Sequence, residues 1–265
     1  SGKIIQALTQ KELARVKSAV KEKKPQAIAV CLLHSFRNPK QEKQLELTLR
    51  GLGVPVTLSS TLVPEYREFE RATTTWADAG LQSVVGPALH ALERQLQGNW
   101  GKKTSLRIMR SDGGTADVEA AAAQPVHLAL SGPVGGLSAA RSLADARGDA
   151  DILTLDMGGT STDVAFLGAG ELSLQPMELA GLTLLARGLP VHTVGTGGGS
   201  LASLDHAGEW VVGPDSAGAI PGPVCYGKGG QQVTVTDAHL VLGHLHPHAF
   251  LGGDFPLDVS GANQT

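Results

Sequence analysis

Ile152-Leu153-Thr154-Leu155-Asp156-Met157-Gly158-Gly159-Thr160-Ser161-Thr162-Asp163-Val164-Ala165-Phe166-Leu167 is the stretch on which the reading of this chain turns. The apolar residues 152–156 predict a strand that delivers Asp156 at its end, and 164–167 a second strand after a sharp turn. Gly158 and Gly159 permit the turn, because glycine reaches positive φ and lets a ligand approach the backbone. Consecutive amides in such a turn converge on an anion. Thr160, Ser161 and Thr162 add hydroxyls suited to phosphate oxygens, and Asp163 adds a second carboxylate. A lone aspartate would repel a polyphosphate, so a nucleotide here implies a cation. A carboxylate in that position suits Mg²⁺ held largely through waters. The plain alternative for any single Gly-Gly is a tight turn.

Outward from this stretch, glycine recurs at strand ends: 113–114, 132–136, 158–159, 195–199 and 227–230. The chain has 34 glycines in 265 residues, nearly twice the usual share of about 7%. No strict triplet repeat exists, which excludes collagen. Upstream, Thr9 and Glu12 form a capping box for a helix, and residues 27–33 read as a strand buried on both faces. Asn38 as N-cap with Pro39 at the first helical position opens a second helix, and 54–59 is a second strand. This alternation is the pattern of an α/β sheet. Residues 64–97 are helical, divided at Gly80 and at Gly86-Pro87. Strands are expected over 105–110, 172–174, 210–212 and 233–235, helices over 118–123, 137–147 and 237–242, and a loop over 213–230. The 237–242 helix carries Asp237 as its N-cap in the plain reading.

Composition narrows the function classes. Lys plus Arg number 22 and Asp plus Glu 25, a net charge of −3, which argues against a nucleic-acid or anionic-membrane surface. Hydrophobic residues at 42% and charged residues at 18% belong to a globular chain rather than a disordered one. No apolar run approaches the roughly 20 residues of a membrane-spanning helix. Cys31 and Cys225 do not make a disulfide framework and fit a reducing, cytoplasmic setting. Neither a P-loop nor a Rossmann fingerprint is present. Ser1-Gly2-Lys3 is not a signal peptide, and both ends are expected to be cut points.

The segment Asp156 to Asp163 resembles the phosphate-binding hairpin of the actin, sugar-kinase and heat-shock-70 ATPase superfamily. The chain is more closely similar to the A subunit of the hydantoinase, 5-oxoprolinase and acetone carboxylase family. The motifs that carry this are Met109-Arg-Ser-Asp-Gly-Gly114, Leu130-Ser-Gly-Pro-Val-Gly-Gly136, Leu155-Asp-Met-Gly-Gly-Thr-Ser-Thr-Asp-Val164, Val191-His-Thr-Val-Gly-Thr-Gly-Gly-Gly-Ser200, Gly213-Pro-Asp-Ser-Ala-Gly218, Pro221-Gly-Pro-Val-Cys-Tyr-Gly227 and Val235-Thr-Asp-Ala-His-Leu-Val-Leu-Gly243. The resemblance implies an α/β fold of actin-like (ribonuclease H-like) lobes, with mixed sheets flanked by helices. On that template, 1–63 is the remainder of a first lobe, 64–150 connecting and interlobe helices, and 151–265 the second lobe. Family A subunits open with a further Asp-x-Gly-Gly-Thr hairpin, so the resemblance implies a fragment lacking it.

The reaction the resemblance implies is ATP-dependent opening of a cyclic amide of the hydantoin or 5-oxoproline type, with a B subunit or B region as partner; self-association is left open. Two alternatives stand beside it: an acetone carboxylase-type subunit, and a structural lobe inactive in isolation. In this scheme Asp156 holds Mg²⁺ through water, and Gly158, Gly159, Thr160, Ser161 and Thr162 contact phosphate. Asp163 orients water, or is simply a turn residue. Gly197, Gly198, Gly199 and Ser200 hold the nucleotide from the facing side, or form a glycine-rich helix entry. His192 is an acid–base candidate or a structural histidine. Ser111, Asp112, Gly113, Gly114 and Asp237 are read as substrate-side or interlobe residues. The glycines of 132–136 are expected to serve close helix packing and hinge motion. Cys225 as nucleophile lacks any sequence sign of a base. His244, His246 and His248 around Pro247 read as surface histidines rather than a zinc set.

Overall fold

The computed structural model describes residues 2–168, 173–179 and 181–265. The chain divides into two compact units, Ser1–Ser138 with Glu171–Pro190, and Ala139–Gly170 with Val191–Thr265.

The first unit opens with α1 (Gln10–Lys23), capped as its sequence dictates: Glu12 N–H donates to Thr9 Oγ1 at 3.3 Å and Thr9 N–H to Glu12 Oε2 at 2.7 Å. Strands β1 (Ile28–Val30) and β2 (Val56–Leu58) run parallel, Ile28 opposite Val56 and Val30 opposite Leu58. Helix α2 (Lys40–Leu49) makes the crossover. Leu13, Ile28, Val30, Leu45, Leu49 and Leu58 close one core cluster between these elements. After α3 (Ser59–Leu62) comes the 33-residue helix α4 (Glu68–Trp100). The short strands β3 (Arg107–Met109) and β4 (Thr115–Asp117) pair antiparallel and lead into α5 (Val118–Ala123) and then α6 (Ser131–Arg147).

Beneath the first core lies a polar network. The Glu42 carboxylate, fully buried, accepts from Leu32 N at 2.8 Å, Ser59 Oγ at 2.7 Å and Ser60 N at 2.8 Å. The Arg71 guanidinium, also fully buried, donates to Ser35 Oγ, to Ser59 Oγ at 2.8 Å and to the Leu32 carbonyl at 2.8 Å. Ser59 therefore bridges opposite charges. Burial pushes the Glu42 carboxyl up, but the hydrogen bonds from Ser59, Ser60 and Leu32 more than offset it and hold it below its ordinary range. At Asp78 burial prevails over the bonds from Val126, Gln82 and Thr57, and its carboxyl stands above its ordinary range.

The second unit is built on β5 (Ile152–Met157) and β6 (Thr162–Leu167), an antiparallel hairpin with Asp156 opposite Asp163. The chain then returns to the first unit for β7 (Gln175–Leu179) and β8 (Leu182–Gly188). That pair sets Met177, Leu184 and Leu185 against Leu62, Val63 and Val126. The Leu185 amide donates to Thr74 Oγ1 of α4 at 2.9 Å. Strand β9 (His192–Val194) pairs with β6, giving the order β5-β6-β9. Strands β10 (Ser200–Leu204) and β11 (Trp210–Ser216) form a second hairpin. Helices α7 (Val235–Val241) and α8 (Val259–Gln264) follow, and Cys225, Leu240, Leu257 and Ala262 form this unit's apolar cluster. Among the described residues no helix is long and apolar enough to cross a membrane.

Several expected boundaries move. Helix α4 runs unbroken through Gly80 and Pro87. Pro87 removes one helical hydrogen bond, but α4 lies along α5 and β8 and is held by that packing. Pro39, not Asn38, is the N-cap of α2, and Asn38 Oδ1 accepts from Lys40 N at 3.2 Å. Of the strand expected over 233–235, Thr234 keeps only an isolated antiparallel bridge to Leu201, and Val235 starts α7. Thr234 is the N-cap and Asp237 its N3 partner, so a capping box overrides the β-branched run Val233-Thr234-Val235. Part of the loop expected over 213–230 is strand, because β11 extends to Ser216. Leu172, in the strand expected over 172–174, lies outside the described residues, and 173–174 are not strand. The glycines of 132–136 fall inside α6 itself. A Cβ at Gly132 or Gly136 would meet nothing within 4 Å, so close packing does not require glycine there.

Candidate functional site

The β5–β6 turn is closed by a bond from Gly158 N to the Ser161 carbonyl at 2.8 Å. Neither Gly158 nor Gly159 has φ in the left-handed region, so positive φ is not what these glycines supply. The turn is exposed from Gly158 to Thr160. The amides of Gly159, Thr160 and Ser161 donate to no acceptor among the described residues.

The loop 195–199 lies against this turn. Gly198 N donates to the Gly158 carbonyl at 2.9 Å, and Gly199 N to the Gly159 carbonyl at 2.6 Å. Thr162 Oγ1 donates to the Thr196 carbonyl at 2.6 Å. A Cβ on Gly197 would stand 2.6 Å from Ser161 N and 2.7 Å from Thr160 N and Gly158 O. Only glycine at 197 can pack this closely against the hairpin turn. The buried Ser200 hydroxyl accepts from Gly197 N at 2.8 Å. Thus Thr162, Gly198 and Gly199 spend polar groups joining the two loops and Ser200 closes loop 195–199 on itself, whereas Gly159, Thr160 and Ser161 keep free backbone donors.

Alternation along the sheet decides which side chains meet. Asp156 pairs with Asp163, and Asp163 with Thr193, so the three share one face. Thr193 Oγ1 donates to Asp163 Oδ1 at 2.6 Å and orients that carboxylate. Two carboxylates directly opposite repel, and a cation between them removes the repulsion. Among the described residues no set of three or more His, Cys, Asp or Glu side chains is grouped to hold an ion, so water would complete such a shell. His192 pairs with Val164 and lies on the opposite face, away from both carboxylates. Thr193 was discoverable from the same alternation, since it stands one residue beyond His192.

The remaining candidates are tied into local structure. Ser111 is buried; its hydroxyl donates to the His127 and Ala129 carbonyls at 2.7 and 2.5 Å. Asp112 accepts from Gly114 N at 2.9 Å and pairs with Arg110 at 2.8 Å, while Gly113 takes φ +84°. This turn belongs to the first unit and the phosphate-type hairpin to the second. Asp237 is buried and accepts from Cys225 N at 2.8 Å, Val224 N at 3.3 Å, and Thr234 N and Oγ1 at 2.9 and 2.8 Å. Burial pushes its carboxyl up, but the bonds from Cys225 and Thr234 hold it below the ordinary range. Burial, reinforced by Asp237, pushes the Cys225 thiol up to about 12, the reverse of an activated nucleophile. His239 and His244 meet Nδ1 to Nδ1 at 2.9 Å, and His246 lies beside His248.

Residues 71–265 match the hydantoinase/oxoprolinase family model, and residues 1–53 the model of the hydantoinase/oxoprolinase N-terminal region. The caprolactamase subunit alpha of Pseudomonas jessenii is 36% identical over 91% of this chain and 35% of its own length. The 5-oxoprolinase of Saccharomyces cerevisiae is 35% identical over 94% of this chain and 19% of its own. A nucleotide-free structure of acetone carboxylase superposes with TM-score 0.80 at 30% identity, covering 97% of this chain and 37% of that one. The crystal structure of ATP-dependent caprolactamase from Pseudomonas jessenii gives TM-score 0.76 at 33% identity, covering 99% and 38%. The fold is thus the α/β, ATPase-like fold of those enzymes, and the chain spans well under half the length of its relatives.

Proposed function

The chain belongs to the hydantoinase/oxoprolinase family, and from that premise we propose that, within a longer protein, it forms the nucleotide-handling part of an ATP-dependent cyclic amide hydrolase. The observation that carries this is the turn 158–161, exposed from Gly158 to Thr160, whose Gly159, Thr160 and Ser161 amides donate to no acceptor among the described residues. Backbone donors of this kind suit phosphate oxygens. Asp156 and Asp163 face each other beside the turn and fit Mg²⁺ held through water. That ion would supply charge neutralisation on the phosphates.

In the proposed reaction the γ-phosphoryl group passes to the amide oxygen of the ring. Water then attacks the activated carbon, the ring C–N bond opens with the nitrogen taking a proton to leave an acyl phosphate, and a second water releases phosphate and the free carboxylate. The chain's own contribution is positioning and charge. The turn amides hold phosphate oxygens, Thr193 fixes the Asp163 carboxylate, and loop 195–199 holds the turn in place. Relatives named as subunits, among them the caprolactamase subunit alpha, support a partner subunit for the complete reaction.

A second reading is favoured by the likeness to acetone carboxylase in both sequence and structure. There the same site would activate a carboxylation substrate. The test is the full-length protein with its partner subunit, assayed for ATP turnover with hydantoin, 5-oxoproline or caprolactam, and separately with a ketone and bicarbonate. Ring opening coupled to ATP use is expected. ATP turnover only with ketone and bicarbonate would select the carboxylase reading, and no ATP dependence with any substrate would overturn both.

A further inference from the structure

We propose that Thr236 is a positioning residue for the nucleotide site, acting through Gly198; the inference rests on the nucleotide reading above. Gly198 is held from two sides. Its N–H donates to the Gly158 carbonyl of the hairpin turn at 2.9 Å. Its carbonyl accepts from Thr236 N at 2.7 Å and from Thr236 Oγ1 at 2.7 Å. A Cβ at position 198 would lie 2.8 Å from that hydroxyl. The glycine and the threonine are therefore matched: the hydroxyl occupies the space a side chain would need.

Thr236 can hold the loop because its own position is fixed. It lies in the first turn of α7, whose start is tied by the reciprocal bonds of Thr234 and Asp237. Asp237 in turn holds the backbone at Val224 and Cys225. A continuous set of bonds thus runs from the buried end of α7 through Thr236 and Gly198 to Gly158. Gly197, the preceding residue in the loop, packs against the Thr160 and Ser161 amides so closely that no side chain fits. A shift of a few tenths of an ångström at Gly198 carries Gly197 with it and alters the access of a phosphate to those amides. Any residue but proline at 236 keeps the backbone N–H bond, and the Thr hydroxyl supplies the second donor.

The test uses the full-length protein with its partner subunit. Thr236→Val keeps the side-chain shape and removes the hydroxyl. It should weaken Mg-ATP binding by about tenfold, the worth of one well-placed hydrogen bond. The KM for ATP should rise accordingly, with kcat at saturating ATP and the KM for the cyclic amide changing less than about twofold, as for a lost binding interaction. Thr236→Ser should restore binding to within about threefold of wild type. Asp117→Ala, which removes the helix cap of α5 in the other unit, measures the effect of lost stability alone. Wild-type affinity in Thr236→Val, no rescue by serine, or equal weakening in Asp117→Ala would each overturn the proposal. Failure of the wild-type protein to bind Mg-ATP would instead refute the nucleotide reading itself.

Discussion

Two polar regions of this molecule are organised in opposite ways. In the first unit, Glu42, Ser59, Ser35 and Arg71 are buried side chains bonded to one another and to nearby backbone. In the second, the turn is exposed from Gly158 to Thr160, and the amides of Gly159, Thr160 and Ser161 donate to nothing among the described residues. The first has strong charge and no access to it. The second has no charge of its own in the turn and free donors at the surface. Strong side-chain chemistry here marks architecture, and the modest-looking glycine backbone is the part fit to meet a ligand.

The sharpest way to break this comparison is Arg71→Ala. It leaves Glu42 buried without its bridged counter-charge, and the folded state should lose about 3–5 kcal/mol, read by urea unfolding. Nucleotide affinity of the folded fraction should not change. Next comes Gly197→Ala, whose new methyl has no space against three hairpin backbone atoms. It should reduce Mg-ATP affinity on the order of a hundredfold in calorimetry, while Gly195→Ala, whose methyl meets nothing within 4 Å, leaves affinity within about twofold. Equal losses at the two positions would refute the steric account.

Acid pH separates the two carboxylates of the first unit. Glu42 titrates lower when folded than its ordinary value of 4.5. Its contribution is therefore present above pH 4.5 and is lost as pH falls through the folded value. Asp78 titrates higher when folded than 3.8, so its contribution is lost as pH rises from there. Glu42→Gln should flatten the acid-side fall in melting temperature, and Asp78→Asn should not. The smallest effect concerns the thiols. Cys225 is fully buried with its thiol near pKa 12, so iodoacetamide at pH 8 should label half-buried Cys31 first, as read by peptide mass spectrometry. Prior labelling of Cys225 would show that the loop 221–227 opens.

Much of this was legible in the residues. The hairpin with its Asp156 and Asp163 follows from apolar runs on either side of Gly158-Gly159, and the parallel pair in the first unit from its helix–strand alternation. The reason for glycine was not legible. At 158–159 the turn uses ordinary φ, and the indispensable missing side chain is at 197, across a gap spanned only in three dimensions. Thr193 escaped notice because the residues alone did not mark 192–194 as a strand, and Thr236 because a lone threonine carries no signal until its acceptor is known. Pro87 misled because local backbone preference yields to the packing of α4, and Val233-Thr234-Val235 because a cap outweighs a β-branched run.

The order of the units along the chain has a further consequence. The first unit is complete only when 171–190 has been made, and the second starts at Ala139 but needs Val191 onward for β9. During synthesis the β5–β6 hairpin emerges before the strands that finish its neighbour. A cut after Ser138 keeps the second unit whole and one after Pro190 keeps the first, but a protease acting within 139–190 leaves both incomplete. Limited proteolysis in that interval should therefore not release a stable fragment of either kind, and an insertion tolerated there would need to leave two separate folding programmes intact at once.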